Sequence, residues 1–182
     1  MRIVGGRHRG RPLAAPPGRI ARPTADRARE ALFNILAHAG DFDLDGAVVA
    51  DVFAGSGALG FEALSRGADH VFFLETHPAA VAAIRANAAT LGEEARVTIL
   101  RGDATRPPPA ARACDLAVLD PPYGDGLAAP ALAALAGRGW LTGDALCIAE
   151  IGAGEALAPP DGFAVTDQRD YGAARFVFLR RA

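Results

Sequence analysis

Asp120-Pro121-Pro122-Tyr123 follows the apolar run Leu116-Ala117-Val118-Leu119, and its residue types can hold a planar amine. An acidic side chain at a strand end accepts one amine hydrogen, and the carbonyl of Pro121 accepts the other. The prolines fix φ and stiffen the loop, while Tyr123 offers a flat face on which a base can stack. The chemistry implied is at the exocyclic amine of a nucleobase, with Asp120, Pro121, Pro122 and Tyr123 as the catalytic set. An ordinary proline turn with a tyrosine at its rim uses the same residues, so the loop has to be read together with the rest of the chain.

A second constellation lies upstream, in Asp51-Val52-Phe53-Ala54-Gly55-Ser56-Gly57-Ala58-Leu59-Gly60. Its glycines fit the G-x-G-x-x-G spacing of a tight strand-to-helix turn whose backbone approaches a ligand closely. About 20 residues on, Glu75 ends another strand, where the acidic residue of nucleoside-binding folds accepts from ribose hydroxyls. Asp103, after Gly102, is placed to read an adenine amine. With their neighbours Phe53, Ser56, Thr76 and Ala104, residues Asp51, Gly55, Gly57, Glu75 and Asp103 form the expected cofactor-binding set. A dinucleotide would set its pyrophosphate at the helix amino terminus. S-adenosylmethionine would place an ammonium there, and the carboxylate of Asp51 suits an ammonium better than a phosphate.

These segments work together only if their strands end side by side. Apolar runs at 47–52, 70–75, 96–100, 116–120 and 146–151 predict short buried strands. Helical spacing at 57–66, 78–91 and 127–136 predicts the intervening helices, Pro78 starting the second. This alternation predicts an α/β fold with a mostly parallel sheet covered on both faces. Residues 163–169 and 175–180 flank Asp170-Tyr171-Gly172 and read as a carboxy-terminal antiparallel hairpin. A leading helix is expected from a cap at Thr24 to near Gly40, with Arg27 and Glu30 able to pair on it. Before it, Arg2-Ile3-Val4 and Arg11-Pro12-Leu13 predict a small hairpin. The chain divides into a basic arm at 1–22 and a Rossmann-like core at 23–182, together a single domain.

With 182 residues, 51% hydrophobic and 22% charged, and a net charge of -2, the chain is long enough for one well-buried domain. That composition excludes a disordered tail or a uniformly basic nucleic-acid coat. The charge is unevenly placed: residues 1–30 carry eight arginines against Asp26 and Glu30, a balance of +6, and the remainder stands at -8. A basic segment on an acidic body is an electrostatic foothold for a polyanion. Arg7, Arg9, Arg11 and Arg22 are the candidate contacts to RNA phosphates, so deleting residues 1–12 is expected to weaken RNA binding and spare cofactor affinity. There is no lysine, and Arg forks onto phosphate better than Lys. Cys114 and Cys147 read as reduced core residues, and His8, His38, His70 and His77 show no ligand spacing, so no metal site is expected. No signal-peptide core or membrane-length apolar stretch is evident, and a cytoplasmic protein is expected.

The glycine motif, Glu75, Asp103 and Asp120-Pro121-Pro122-Tyr123 together resemble a class I S-adenosylmethionine-dependent methyltransferase of the amino-methylating kind. Arg2-Ile3-Val4-Gly5-Gly6, Arg9-Gly10-Arg11, Arg22-Pro23-Thr24, Asp26-Arg27 and Arg29-Glu30-Ala31-Leu32-Phe33-Asn34 narrow the likeness, as do Phe53 to Gly60. They resemble the RsmD family of 16S ribosomal RNA (guanine-N2)-methyltransferases, from residue 2 through Tyr171-Gly172. The resemblance implies transfer of the sulfonium methyl of S-adenosylmethionine to the exocyclic N2 of a guanine, leaving S-adenosylhomocysteine. It implies 16S ribosomal RNA as partner, within an assembled or assembling small subunit, and a monomeric enzyme. The tetrapeptide alone also admits an adenine-N6 methyltransferase. The crevice alone admits a nucleotide-dependent oxidoreductase or a non-catalytic RNA-binding assembly factor.

Overall fold

The computed structural model describes residues 1–16, 23–38, 40 and 42–182, with side chains in the first helix described from Arg27 onward. Helix α1 (Pro23–His38) is followed by β1 (Val48–Val52), α2 (Ala58–Ser65), β2 (His70–Glu75) and α3 (Pro78–Leu91). Then come a single 3₁₀ turn at Glu94–Arg96, β3 (Val97–Arg101), β4 (Cys114–Leu119), α4 (Ala128–Gly137), β5 (Leu141–Gly152), β6 (Phe163–Tyr171) and β7 (Ala174–Arg181). The strands form one seven-stranded sheet in the order β3-β2-β1-β4-β5-β7-β6. The first five are mutually parallel, and β7 runs antiparallel between β5 and β6. From β1 the chain builds outward through β2 to β3, then returns across to β4. The switch point therefore lies between β1 and β4, where open α/β sheets bind ligands beyond their carboxyl ends.

Alternation along the strands divides the core. Val49, Leu116, Val118 and Ile148 pack with Leu32, Phe61, Leu64 and Ile84 on one face, whereas Ala50, Val52, Leu119 and Cys147 pack with Leu132, Leu135 and Trp140 on the other. Burial on both faces explains why β1 reads as a continuous apolar run broken only by Asp51. Trp140 satisfies its indole N–H on the Pro108 carbonyl at 2.8 Å and meets Phe72 edge-on. Cys114 and Cys147 are buried free thiols, and burial pushes each up to about 12, which leaves them unreactive.

β5 begins earlier than its apolar run predicts. Cys114 pairs with Leu141 while Leu116 pairs with Leu146, so the polar stretch Thr142-Gly143-Asp144 bulges from the ladder and hides the strand start. In α1 the cap expected at Thr24 falls among side chains outside the described set, as does Ala39. The pair expected between Arg27 and Glu30 does not form among the described residues, and both side chains are exposed.

The amino-terminal hairpin exists: Arg2 bridges Pro12, and the N–H groups of Ile3 and Gly10 donate to the carbonyls of Arg11 and Ile3. It is not a detached arm, however. Ile3 and Leu13 are buried in the core, and the Val4 N–H donates to Glu62 Oε2 at 2.9 Å. Glu62 is itself fully buried on α2 and pairs with Arg66 at 2.8 Å. Ser65 accepts the Arg7 N–H on its carbonyl and the His8 N–H on Oγ, and donates to the Gly5 carbonyl. Arg29 reaches from α1 to the Arg2 carbonyl. The arm is part of the domain, and deleting residues 1–12 removes core as well as charge.

Candidate active site

The turn from β1 into α2 is held in a conformation its sequence selects. Gly55 and Gly57 have φ of 58° and 78°, and Phe53 adopts φ 62°, a costly value for a residue with a Cβ. At Gly60 the constraint is space: a Cβ would lie 2.4 Å from the Phe73 ring. Side chains complete the turn. The Gly55 N–H donates to Glu75 Oε2 at 2.7 Å, the Gly60 N–H donates to Asp51 Oδ2 at 2.8 Å, and the Ser56 carbonyl accepts from Asn87 Nδ2 at 3.0 Å.

Asp51 is 1% exposed. Burial pushes its carboxyl up to about 8; the nearby charges of Asp120 and Glu75 raise it further, and the bond from Gly60 opposes them. Its second oxygen, Oδ1, is buried with no hydrogen-bond partner among the described residues. An acceptor in that state fits a ligand that brings a cation or an ordered water. It does not fit a pyrophosphate, whose charge would hold Asp51 protonated and add to the carboxylates of Glu75 and Asp120.

A cavity of about 420 Å³ opens at the carboxyl ends of β1, β2 and β4. Of the residues expected at the site, Phe53, Glu75, Thr76, Ala104, Asp120 and Pro122 line it together. Glu75 Oε1 accepts the His77 N–H at 2.8 Å and the Thr76 hydroxyl at 3.4 Å, which leaves Oε2, bonded among the described residues only to Gly55, a lone pair for a further donor. Asp51, Gly55, Ser56 and Gly57 form the turn behind this wall. Asp103 stands between Gly102 and Ala104 of the lining; its Oδ1 accepts from the N–H and hydroxyl of Thr105, both at 2.8 Å, and these bonds hold its pKa below the usual carboxylate range. At β4 the Asp120 N–H donates to the Val52 carbonyl, which ties the start of the tetrapeptide to the end of β1. Pro121 stands between two residues of that wall, and the exposed ring of Tyr123 is fixed by its hydroxyl, which donates to Glu150 Oε1 at 2.7 Å. Burial raises the pKa of Glu150, and the Tyr123 bond partly offsets this.

The arginines divide. Arg7 pairs with buried Glu93 at 2.8 Å while remaining half-exposed, and Arg11 donates to the Thr90 carbonyl at 2.7 Å. Both therefore fasten the arm to α3 and its following turn. Arg9 is exposed, with no side-chain partner among the described residues, and Arg22 lies outside them. Pro16, His77, Asn87 and Glu150 belong to the site or its support and were not expected there. Only Glu150 had a signal in the sequence, as an acidic residue ending a strand. Among the described residues no group of three or more His, Cys, Asp or Glu side chains is placed to hold a metal ion.

Comparison with known proteins agrees with this geometry. Residues 1–180 match the family described as Conserved hypothetical protein 95. The chain is 36% identical to the Ribosomal RNA small subunit methyltransferase D of Haemophilus influenzae over 94% of this chain and 89% of that one. It is 39% identical to the protein of the same name from Escherichia coli K12 over 82% and 74% of the two chains. The solved structure of yhhF from Escherichia coli superposes with a TM-score of 0.82 at 32% identity, covering 100% of this chain and 97% of that one. TrmN from Thermus thermophilus shares the fold, at a TM-score of 0.70 and 23% identity over 85% of this chain and 48% of that one. With a family match over nearly its full length on a sheet and turn of this design, the chain belongs to the Conserved hypothetical protein 95 family, the RsmD methyltransferases.

Proposed function

We propose that this enzyme methylates the exocyclic N2 of a guanine in 16S ribosomal RNA, using S-adenosylmethionine. The observation that carries this reading is that Asp120 and Pro122 of the amine-holding loop line the same cavity as Phe53 and Glu75. The names of the relatives supply the substrate class. The cavity volume of about 420 Å³ falls within the ~300–1,000 Å³ of small-molecule sites.

Residues fitting the cofactor are at hand. Glu75 Oε2 has a lone pair for a ribose hydroxyl, Phe53 and Ala104 supply apolar wall, and the unpartnered Oδ1 of Asp51 accepts from the ammonium or its water once the cation draws the carboxyl into its charged form. Bound there, S-adenosylmethionine supplies an electrophilic sulfonium methyl. An aromatic amine is a weak nucleophile because its lone pair is delocalised into the ring. Asp120 and the Pro121 carbonyl accept its two hydrogens, which leaves the lone pair directed at the methyl, and Tyr123 stacks on the base. Alignment of this kind supplies up to ~7–11 kcal/mol in the best cases, with fixed acceptors in place of water adding to it. No base is needed before attack, and Asp120 is placed to take the proton afterwards.

The base must leave its stack to enter, so a loop or flipped nucleotide is the substrate, presented on an assembled or assembling small subunit. Arg9 and Arg22, with the exposed sides of Arg7 and Arg11, are the proposed phosphate contacts, and the enzyme acts as a cytoplasmic monomer. Among the described residues no helix is long and apolar enough to cross a membrane. The test is incubation with labelled S-adenosylmethionine and either free 16S RNA or small subunits lacking the modification, followed by nucleoside analysis. N2-methylguanosine is expected. N6-methyladenosine would make it an adenine methyltransferase, and binding without transfer would make it an assembly factor.

A further inference from the structure

Asn87 lies on α3, is 2% exposed, and makes three hydrogen bonds with its side-chain amide. Oδ1 accepts from the Ala14 N–H at 2.8 Å, and Nδ2 donates to the Ala14 carbonyl and to the Ser56 carbonyl, both at 3.0 Å. It thus pairs with the arm backbone as a neighbouring strand would, and uses its remaining hydrogen on the glycine turn. A carboxylate of the same shape would aim a lone pair at two carbonyls, and an apolar side chain would leave three backbone groups without partners.

What Asn87 joins is the two halves of the cavity's support. Ala14 lies shortly before Pro16, which lines the cavity, and Ser56 sits in the turn whose neighbours Phe53 and Glu75 line it from the other side. Ser56 makes a second link to the arm, its hydroxyl donating to Met1 Sδ at 3.3 Å. Among the described residues, the other polar contacts of the arm with α3 and the turn after it, Arg11 to Thr90 and both Arg7 and His8 to Glu93, do not touch the glycine turn.

We infer that Asn87 is a positioning residue for the cofactor site: it locks the docked amino-terminal arm to the glycine turn, so that filling the cavity and ordering the arm are thermodynamically linked. The inference rests on the reading of the cavity as the S-adenosylmethionine site. Linkage is reciprocal, so a cofactor that prefers the locked turn must also hold the arm down. An arm that bears Arg9 is then presented to RNA most firmly when the methyl donor is in place.

The test uses the full chain, as wild type, Asn87→Ala and Asn87→Asp, at a temperature well below the melting point of each. Calorimetry measures affinity for S-adenosylmethionine. Hydrogen exchange at the Ile3, Gly10 and Leu13 amides, all bonded within the arm, measures docking with and without S-adenosylhomocysteine. The expected result is that ligand slows arm exchange in wild type, and that both variants bind on the order of tenfold more weakly and lose this protection. A folded Asn87 variant that melts earlier but keeps wild-type affinity and protection overturns the inference and leaves the cofactor reading intact. Wild-type binding with no protection of the arm also overturns it. A wild-type chain that binds no S-adenosylmethionine overturns the cofactor reading itself.

Discussion

Burial disfavours the charge of Asp51 and pushes its carboxyl up to about 8. A solvated aspartate titrates near ~3.9, so between these values the folded state binds more protons than the unfolded state, and stability falls as pH rises through that window. Asp51→Asn keeps an acceptor for the Gly60 N–H and cannot ionise. Its melting temperature relative to wild type is expected to climb from pH 5 to pH 8; a difference independent of pH contradicts the buried, protonated assignment. Tyr123→Phe tests the other end of the site. Removing the hydroxyl that reaches Glu150 at 2.7 Å frees an exposed ring while keeping its stacking face, so KM for RNA is expected to rise several-fold with cofactor affinity unchanged in calorimetry. Asp51, Glu75 and the tetrapeptide were legible because strand ends and glycine spacing are local patterns. The Asx turn that Asp103 forms with Thr105 through Oδ1 was not anticipated from the sequence. Asn87 gave no local signal, since its role depends on which segment crosses α3.

At the level of elements, the strand-helix alternation was readable almost to the residue for β2 and α3, where apolar periodicity and Pro78 mark the boundaries. β5 was misjudged because a bulge carries polar residues into a ladder, which no periodicity rule anticipates. The arm's small hairpin was expected, but its docking was not legible, because Ile3 and Leu13, which bury it, are too few to form a pattern. Deletion of residues 1–12 is therefore expected to lower the melting temperature and cofactor affinity along with RNA binding; a truncated chain that melts like wild type contradicts the docked arm. Helix α2 sits against β2 through Gly60. Gly60→Ala places a Cβ 2.4 Å from the Phe73 ring and is expected to cost ~1–3 kcal/mol of stability in denaturant unfolding.

For the whole molecule, the sheet order brings Asp51, Glu75 and Asp120, at or next to the carboxyl ends of β1, β2 and β4, to one switch point although they lie far apart in sequence. The split between a basic amino-terminal segment and an acidic remainder was visible in the sequence. Which arginines also fasten the arm was not, because Glu93 and the Thr90 carbonyl become partners of Arg7 and Arg11 only after α3 is in place. Arg9→Ala is expected to weaken RNA binding evenly across sequences and to flatten its salt slope by about 0.7–0.9, the value of one phosphate contact. The measurement that bears most directly on the central claim compares wild type with Asp120→Ala, following S-adenosylmethionine binding by calorimetry and methyl transfer to unmodified small subunits in parallel. Comparable cofactor affinity in both and N2-methylguanosine from the wild type alone are expected; normal methylation by Asp120→Ala would remove Asp120 from the mechanism.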